Sequence, residues 1–129
     1  MITLDHTVLR VRDARESVRF FQEVLGFEHE GKLDPFEIMR VNEGLTLDLI
    51  EEEPTGQIHY AFCMGRQSFN EIHARLKSLN VPFGNAPHSR GNDQLPAKWP
   101  GAQGMADALY FNDPSGHILE IRTYEMDET

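Results

Sequence analysis

Cysteine is almost absent: the chain has one, Cys63. No intrachain disulfide can form, which excludes a stapled secreted scaffold and fits a reducing cytoplasm. Basic residues are also scarce. Lys and Arg total 12 against 21 Asp and Glu, a net charge of −9. So weak a positive complement argues against nucleic acid or an anionic membrane as a partner, and the acidic excess reads as a solubility charge. No apolar run approaches the roughly 20 residues needed to span a bilayer. The opening Met1-Ile2-Thr3-Leu4-Asp5 enters a strand pattern directly, without the basic and apolar regions of a signal peptide, so a cytoplasmic protein is expected. What is present is ordinary: 129 residues, 40% apolar, with eight Phe. That suits one compact domain or two small intimate halves.

Residues 3–11 alternate and are β-branched, the pattern of a strand. Asp13, with Glu16 in capping-box spacing, opens a helix whose Ala14, Val18, Phe21 and Leu25 recur at helical period, and Gly26 stops it. Three strands are expected next, at Phe27–Glu30, Glu37–Val41 and Leu45–Glu51. Pro54-Thr55-Gly56 then breaks the chain. The second half starts the same way. A strand at Ile58–Met64 is followed by a helix, with Ser68 and Glu71 as its capping box and Phe69, Ile72, Leu76 and Leu79 as its apolar face. Asn80 and Pro82 end this helix. Residues 84–105 hold four Gly and three Pro and read mostly as loop. Ala106–Phe111 and His117–Tyr124 read as strands joined by the turn Asp113-Pro114-Ser115-Gly116.

This is an internal repeat. His6 and His59 are 53 residues apart, and the helix ends Leu25 and Leu79 are 54 apart. Asp48 lies 23 residues after Leu25, and Glu120 lies 41 after Leu79. The second half therefore carries about 18 extra residues in the Gly/Pro-rich loop, more length than packing needs. The expected class is α+β, with paired βαβββ modules forming a cupped, mostly antiparallel sheet. The first module covers 1–53 and the second 57–129, with the long loop 84–105, the two together making one domain over 1–125.

Strand parity places Leu119 and Ile121 on one face and Glu120 and Arg122 on the other; His59 opposes Tyr60, and Asp48 opposes Leu47 and Leu49. A polar side chain in mid-strand on an enclosed face is costly unless paired or bound. Two imidazoles and one carboxylate converging there match the 2-His-1-carboxylate set, which leaves open positions on a metal.

Ala108-Leu109-Tyr110-Phe111-Asn112-Asp113-Pro114-Ser115-Gly116-His117-Ile118-Leu119-Glu120-Ile121 resembles the C-terminal signature of the vicinal-oxygen-chelate superfamily. That superfamily includes glyoxalase I, extradiol dioxygenases, fosfomycin-resistance thiol transferases and bleomycin-binding proteins. Leu4-Asp5-His6-Thr7-Val8, Val24-Leu25-Gly26-Phe27 and Ile58-His59-Tyr60-Ala61-Phe62 resemble its module starts and first helix end. The resemblance covers nearly the whole chain outside 84–105. It implies a sheet cup around one divalent metal (Fe, Mn, Ni or Zn), a small substrate chelating through two neighbouring oxygens, and a homodimer.

Carried over by residue, His6, His59 and Glu120 would be the metal ligands. Asp48 falls where glyoxalase I has a fourth ligand, usually the longer Glu. The His/His/Glu set argues against the metal-free bleomycin binders and for a dioxygenase-like or transferase-like enzyme. Ala108 stands where a fosfomycin enzyme would carry serine. A glyoxalase-type lyase and a metal-free protein that sequesters a small molecule are the alternatives. Tyr110 resembles a tyrosine facing substrate in several branches; the other reading is a rim aromatic. Arg122 either holds an anionic substrate or neutralises Glu120. His117 is expected to be structural, His29 and His73 to lie at the surface, and Cys63 to be a buried small hydrophobe. His88, Arg90, Lys98 and Trp99, with Gly91, Gly101 and Gly104 as hinges, suggest that loop 84–105 closes over a ligand and sets substrate choice; a solvated or disordered excursion is the other reading.

Overall fold

The computed structural model describes residues 1–127, so the last two residues of the expected second module lie outside the described part. The chain divides into two compact units, Met1–Gln57 and the part from Ile58 onward. The first runs β1 (His6–Val11), α1 (Ala14–Phe20), β2 (Glu28–Leu33), β3 (Phe36–Asn42) and β4 (Leu45–Glu51). The second runs β5 (His59–Cys63), α2 (Arg66–Ser78), β6 (Phe83–Gly84), β7 (Ala97–Gly101), β8 (Gly104–Asn112) and β9 (Ile118–Thr123). No helix among the described residues is long and apolar enough to cross a membrane.

In the first unit the strand order is β1-β4-β3-β2, with β1 parallel to β4 and the other pairs antiparallel. Asp13 caps α1, its carboxylate accepting the Glu16 N–H at 3.1 Å. The last turn widens into π-helical geometry over Phe21–Leu25 and stops at Gly26, whose φ of 75° is left-handed and favours glycine. Val18, Phe21, Val24 and Leu25 of this helix are buried, as are Leu9, Val11, Met39, Leu47 and Leu49 of the sheet. Each such side chain contributes roughly 1.5–3 kcal/mol on leaving water.

The second unit repeats that path as β5-β9-β8-β6, again with the first pair parallel, and adds β7 on β8. Phe69, Ile72 and Leu76 of α2 are buried, as are Leu109, Phe111, Leu119 and Ile121 of the sheet. The α2 start differs from the expectation. Its cap position is Gly65, with no side-chain cap, and Ser68 lies inside the helix. The Glu125 carboxylate, from beyond β9, takes the Arg66 N–H at 2.6 Å instead. A tertiary contact thus replaces a local one.

The expected loop 84–105 is largely structured. Residues 97–101 form β7, paired antiparallel with Gly104–Ala108 of β8. The intervening chain folds back on β6: Asp93 N–H donates to the Phe83 carbonyl at 2.8 Å. At Gly84 an added Cβ would stand 1.4 Å from the Ser89 carbonyl oxygen. Of the four residues expected to reach a ligand, Arg90, Lys98 and Trp99 have protein partners here. Arg90 donates to Asn112 Oδ1 and to the Pro87 carbonyl, Lys98 pairs with Asp107 at 3.0 Å, and Trp99 Nε1 donates to the Asn85 carbonyl at 2.7 Å.

Three smaller expectations change. Cys63 is exposed, because the His59, Ala61 and Cys63 face of β5 is left open. His29 and His73 are half-buried rather than superficial: His29 Nε2 meets Glu37 Oε1 at 3.0 Å, and His73 packs edge-on to Phe83. His117 is structural as expected; it is buried and its Nδ1 accepts the Ile58 N–H at 3.0 Å.

Gly84→Ala is expected to cost roughly 1–3 kcal/mol or more, since a rigid backbone atom blocks the methyl group. Gly56→Ala, with nothing within 4 Å of the new carbon, should leave the urea midpoint nearly unchanged. Equal midpoints for the two variants would mean that the fold-back on β6 does not exist in solution.

Candidate functional site

β9 aims two consecutive same-face residues, Glu120 and Arg122, into the second unit. Glu120 lies opposite Ala61 on β5 and Tyr110 on β8, so neighbours on both sides share its face. His59, two residues before Ala61, joins that face. Its Nε2 stands 3.0 Å from Glu120 Oε1. The carboxylate side chain is 5% exposed and the imidazole 46%, a buried acid with a ring reaching it from the open side. On its other oxygen Glu120 accepts from Arg122 Nη1 at 2.6 Å. Of the two readings of Arg122, the contact made in this structure is the one with Glu120.

Tyr110 is buried rather than on the rim. Burial, and then the Glu120 charge and the hydrogen bond to that carboxylate, push its phenol above the ordinary 10.0. The proton therefore stays on the phenol, which donates to Glu120. The ring stands edge-on to His59 at 6.0 Å and to Trp99 at 6.1 Å. These rings form an aromatic wall beside the imidazole and carboxylate.

In the first unit β1 and β4 present a second polar pair. His6 lies opposite Thr46, and Val8 opposite Asp48, in parallel register, so His6 and Asp48 share one face. A hydrogen bond with Asp5 at 2.7 Å raises His6 above its ordinary 6.5, and the charge of Asp48 adds to this. Asp48 Oδ1 is buried and has no hydrogen-bond partner, an unusual cost for a carboxylate oxygen.

The four residues singled out as ligands thus fall into two pairs, His59 with Glu120 and His6 with Asp48. No group of three or more His, Cys, Asp or Glu stands close enough to hold a metal ion among the described residues. Each pair is nevertheless chemically apt, offering imidazole nitrogen and carboxylate oxygen. In the second unit a cation could bridge the His59 nitrogen and the Glu120 oxygen; in the first, a cation could meet the orphaned oxygen of Asp48. Sequence reasoning read Gly101 only as a hinge and gave Tyr124 no role. An added Cβ on Gly101 would lie 2.4 Å from Arg122 Nη2 and 2.8 Å from the Tyr124 hydroxyl. The alternation Ala97-Lys98-Trp99 signals the strand that carries Gly101, obscured by Pro100, but no sequence signal marks these contacts.

Residues 3–121 match the family model described as Glyoxalase/Bleomycin resistance protein/Dioxygenase superfamily. The chain is 25% identical over 126 residues to glutathione transferase FosA of Serratia marcescens, covering 92% of this chain and 79% of that protein. It is 25% identical over 127 residues to metallothiol transferase FosB of Lysinibacillus sphaericus, covering 94% and 82%. Among solved structures, oxidase ChaP-H2 superposes with a TM-score of 0.80 at 27% identity, covering 96% of this chain and 94% of that one.

The raised phenol gives a pH prediction. Tyr110 stays neutral in the folded chain but ionises near 10 when unfolded, so its stabilisation is complete below about pH 10 and is lost as the pH rises further. Titration at 295 nm should register fewer than the three tyrosines of the chain until alkaline unfolding begins. Tyr110→Phe should reduce the fall in stability above pH 10. Three tyrosines ionising together near 10 in the folded protein would contradict this placement.

Proposed function

The chain belongs to the Glyoxalase/Bleomycin resistance protein/Dioxygenase superfamily, and from that premise we propose that it is a metal-dependent enzyme acting on a small molecule that presents two neighbouring oxygens. His6, His59 and Glu120 are the proposed ligands of one divalent cation. The observation that carries this reading is the buried Glu120 carboxylate, met by a half-open imidazole at 3.0 Å. The name of the FosB relative, a metallothiol transferase, supports a metal in this lineage.

A bound metal would supply Lewis-acid polarisation of the chelated oxygens. The chain's own residues do the rest. Arg122 balances and orients Glu120. Tyr110 keeps its proton and presents a hydroxyl beside the same carboxylate. Trp99 and Tyr110 give a ligand an apolar wall and exclude water on that side. The favoured chemistry is dioxygenase-like or transferase-like, as the oxidase and transferase relatives support. A glyoxalase-type lyase is the second reading, favoured by the unpartnered oxygen of Asp48 beside His6 as a fourth ligand. We further propose a homodimer, in which a second copy would cover open sheet edges.

Protein purified without chelators or a metal-affinity tag should carry about one divalent metal per chain by elemental analysis, as one such ligand set requires. Glu120→Gln should weaken Co(II) binding by more than the roughly 10–100-fold typical of losing a supporting contact. Because Asp5 favours the protonated His6, affinity should fall as the pH drops through a value above 6.5. Asp48→Asn separates the two enzyme readings: weakened binding supports the four-ligand lyase, unchanged binding the three-ligand set. A wild-type chain that takes no Co(II) yet binds an aromatic ligand would replace the enzyme by a sequestering protein. Sedimentation of a monomer at micromolar concentration would defeat the dimer.

A further inference from the structure

Arg122 makes more contacts than one ion pair needs. Its side chain is 7% exposed. Besides Glu120, Nη1 reaches the Pro100 carbonyl at 3.3 Å, and Nη2 reaches the carbonyls of Trp99 at 3.0 Å and Gly104 at 3.3 Å. The guanidinium lies over the Tyr124 ring, 5.2 Å from its centre, a cation–π geometry. The Tyr124 hydroxyl in turn accepts the Gln103 N–H at 3.0 Å. One cation and one phenol therefore hold both arms of the β7–β8 turn. Both guanidinium –NH2 groups are spent on protein oxygens, which leaves neither for a substrate anion. The turn closes this tightly because Gly101 has no side chain: a Cβ there would overlap the guanidinium at 2.4–2.5 Å.

From these contacts we infer that Arg122 is a positioning residue that ties the Glu120 carboxylate to the β7–β8 hairpin, so that the hairpin sets the direction of the carboxylate and the stance of Trp99 together. A planar fork holds several oxygens in fixed relative directions, which a lysine ammonium does not. Displacing the turn moves the guanidinium, and the guanidinium moves Glu120 Oε2. The same displacement frees Trp99, whose carbonyl Arg122 holds and whose ring abuts Tyr110. Carboxylate and aromatic wall are thus two outputs of one clasp. Its importance for metal binding rests on the proposed role of Glu120; the clasp itself does not.

The test uses Gly101→Ala, Arg122→Lys, Arg122→Met and the double variant Gly101→Ala/Arg122→Met. Folding is checked by circular dichroism. Trp99 is the one tryptophan of the chain, so its emission and acrylamide quenching report the hairpin without any metal, and a Co(II) titration reports the carboxylate. Gly101→Ala should shift Trp99 emission and weaken Co(II) binding about tenfold, in the range for losing a supporting contact. Arg122→Lys should keep more Co(II) affinity than Arg122→Met, by preserving the charge on Glu120, yet release Trp99 as fully. The double variant should bind no worse than Arg122→Met, because the alanine acts through the arginine. Additive losses would overturn the inference, as would a folded Gly101→Ala chain with wild-type Co(II) affinity. If the wild-type chain itself binds no Co(II), the metal reading fails. The clasp is then judged on Trp99 alone, and wild-type emission and quenching in folded Arg122→Lys would overturn it.

Discussion

Glu120 and Arg122 stand two residues apart on one strand, face the same way and are both nearly closed off from water. A carboxylate so enclosed is tolerable only if its charge is met and its oxygens are bonded. Here one oxygen faces the guanidinium and the other the His59 ring, with the Tyr110 hydroxyl alongside. Removing either member of the pair would leave the other buried and uncompensated, at a typical cost of about 3–5 kcal/mol. The strand neighbours of β9 are fixed by the same demand. β8 brings Tyr110 opposite Glu120, β5 brings His59 within reach, and the β7–β8 turn brings three carbonyls to the guanidinium.

The two units show how one topology serves two ends. Both run a strand, a helix and three antiparallel strands, with the last strand returning to lie parallel to the first. That return places the polar residue of the last strand beside the histidine of the first: Asp48 with His6, Glu120 with His59. The first unit leaves one oxygen of Asp48 buried without a hydrogen bond. The second unit adds β7, and with it the clasp on Arg122. The added segment therefore builds the surroundings of Glu120, and part of what was expected as loop is strand.

Much of this was legible in the residues. Asp13 and Gly26 announced the ends of the first helix through side-chain capping and left-handed backbone, both local effects. Alternation along 45–51 and 118–123 announced which residues face the helices. The His6/His59 and Asp48/Glu120 pairs emerged from the repeat. Where sequence reasoning failed, a distant partner had displaced a local rule. Ser68 was the expected cap of α2, but Glu125 supplies the acceptor from beyond β9. Cys63 sat in an apolar run, but its face of β5 is uncovered. Pro100 masked β7, which is tolerated because prolines fit edge strands.

The sequence by itself determined the element order, the internal repeat and the class of donor at each candidate position, because these follow from residue spacing and side-chain chemistry along one stretch of chain. Only the tertiary structure decided that Arg122 serves Glu120, that Tyr110 donates to the same carboxylate, and that Gly101 must lack a side chain. The last two join residues of different strands, and the role of Arg122 rests on the β7–β8 turn that takes up its remaining donors. The register between β7, β8 and β9 sets their distances, and no local pattern encodes that register: a shift of one residue would turn every one of these side chains to the opposite face.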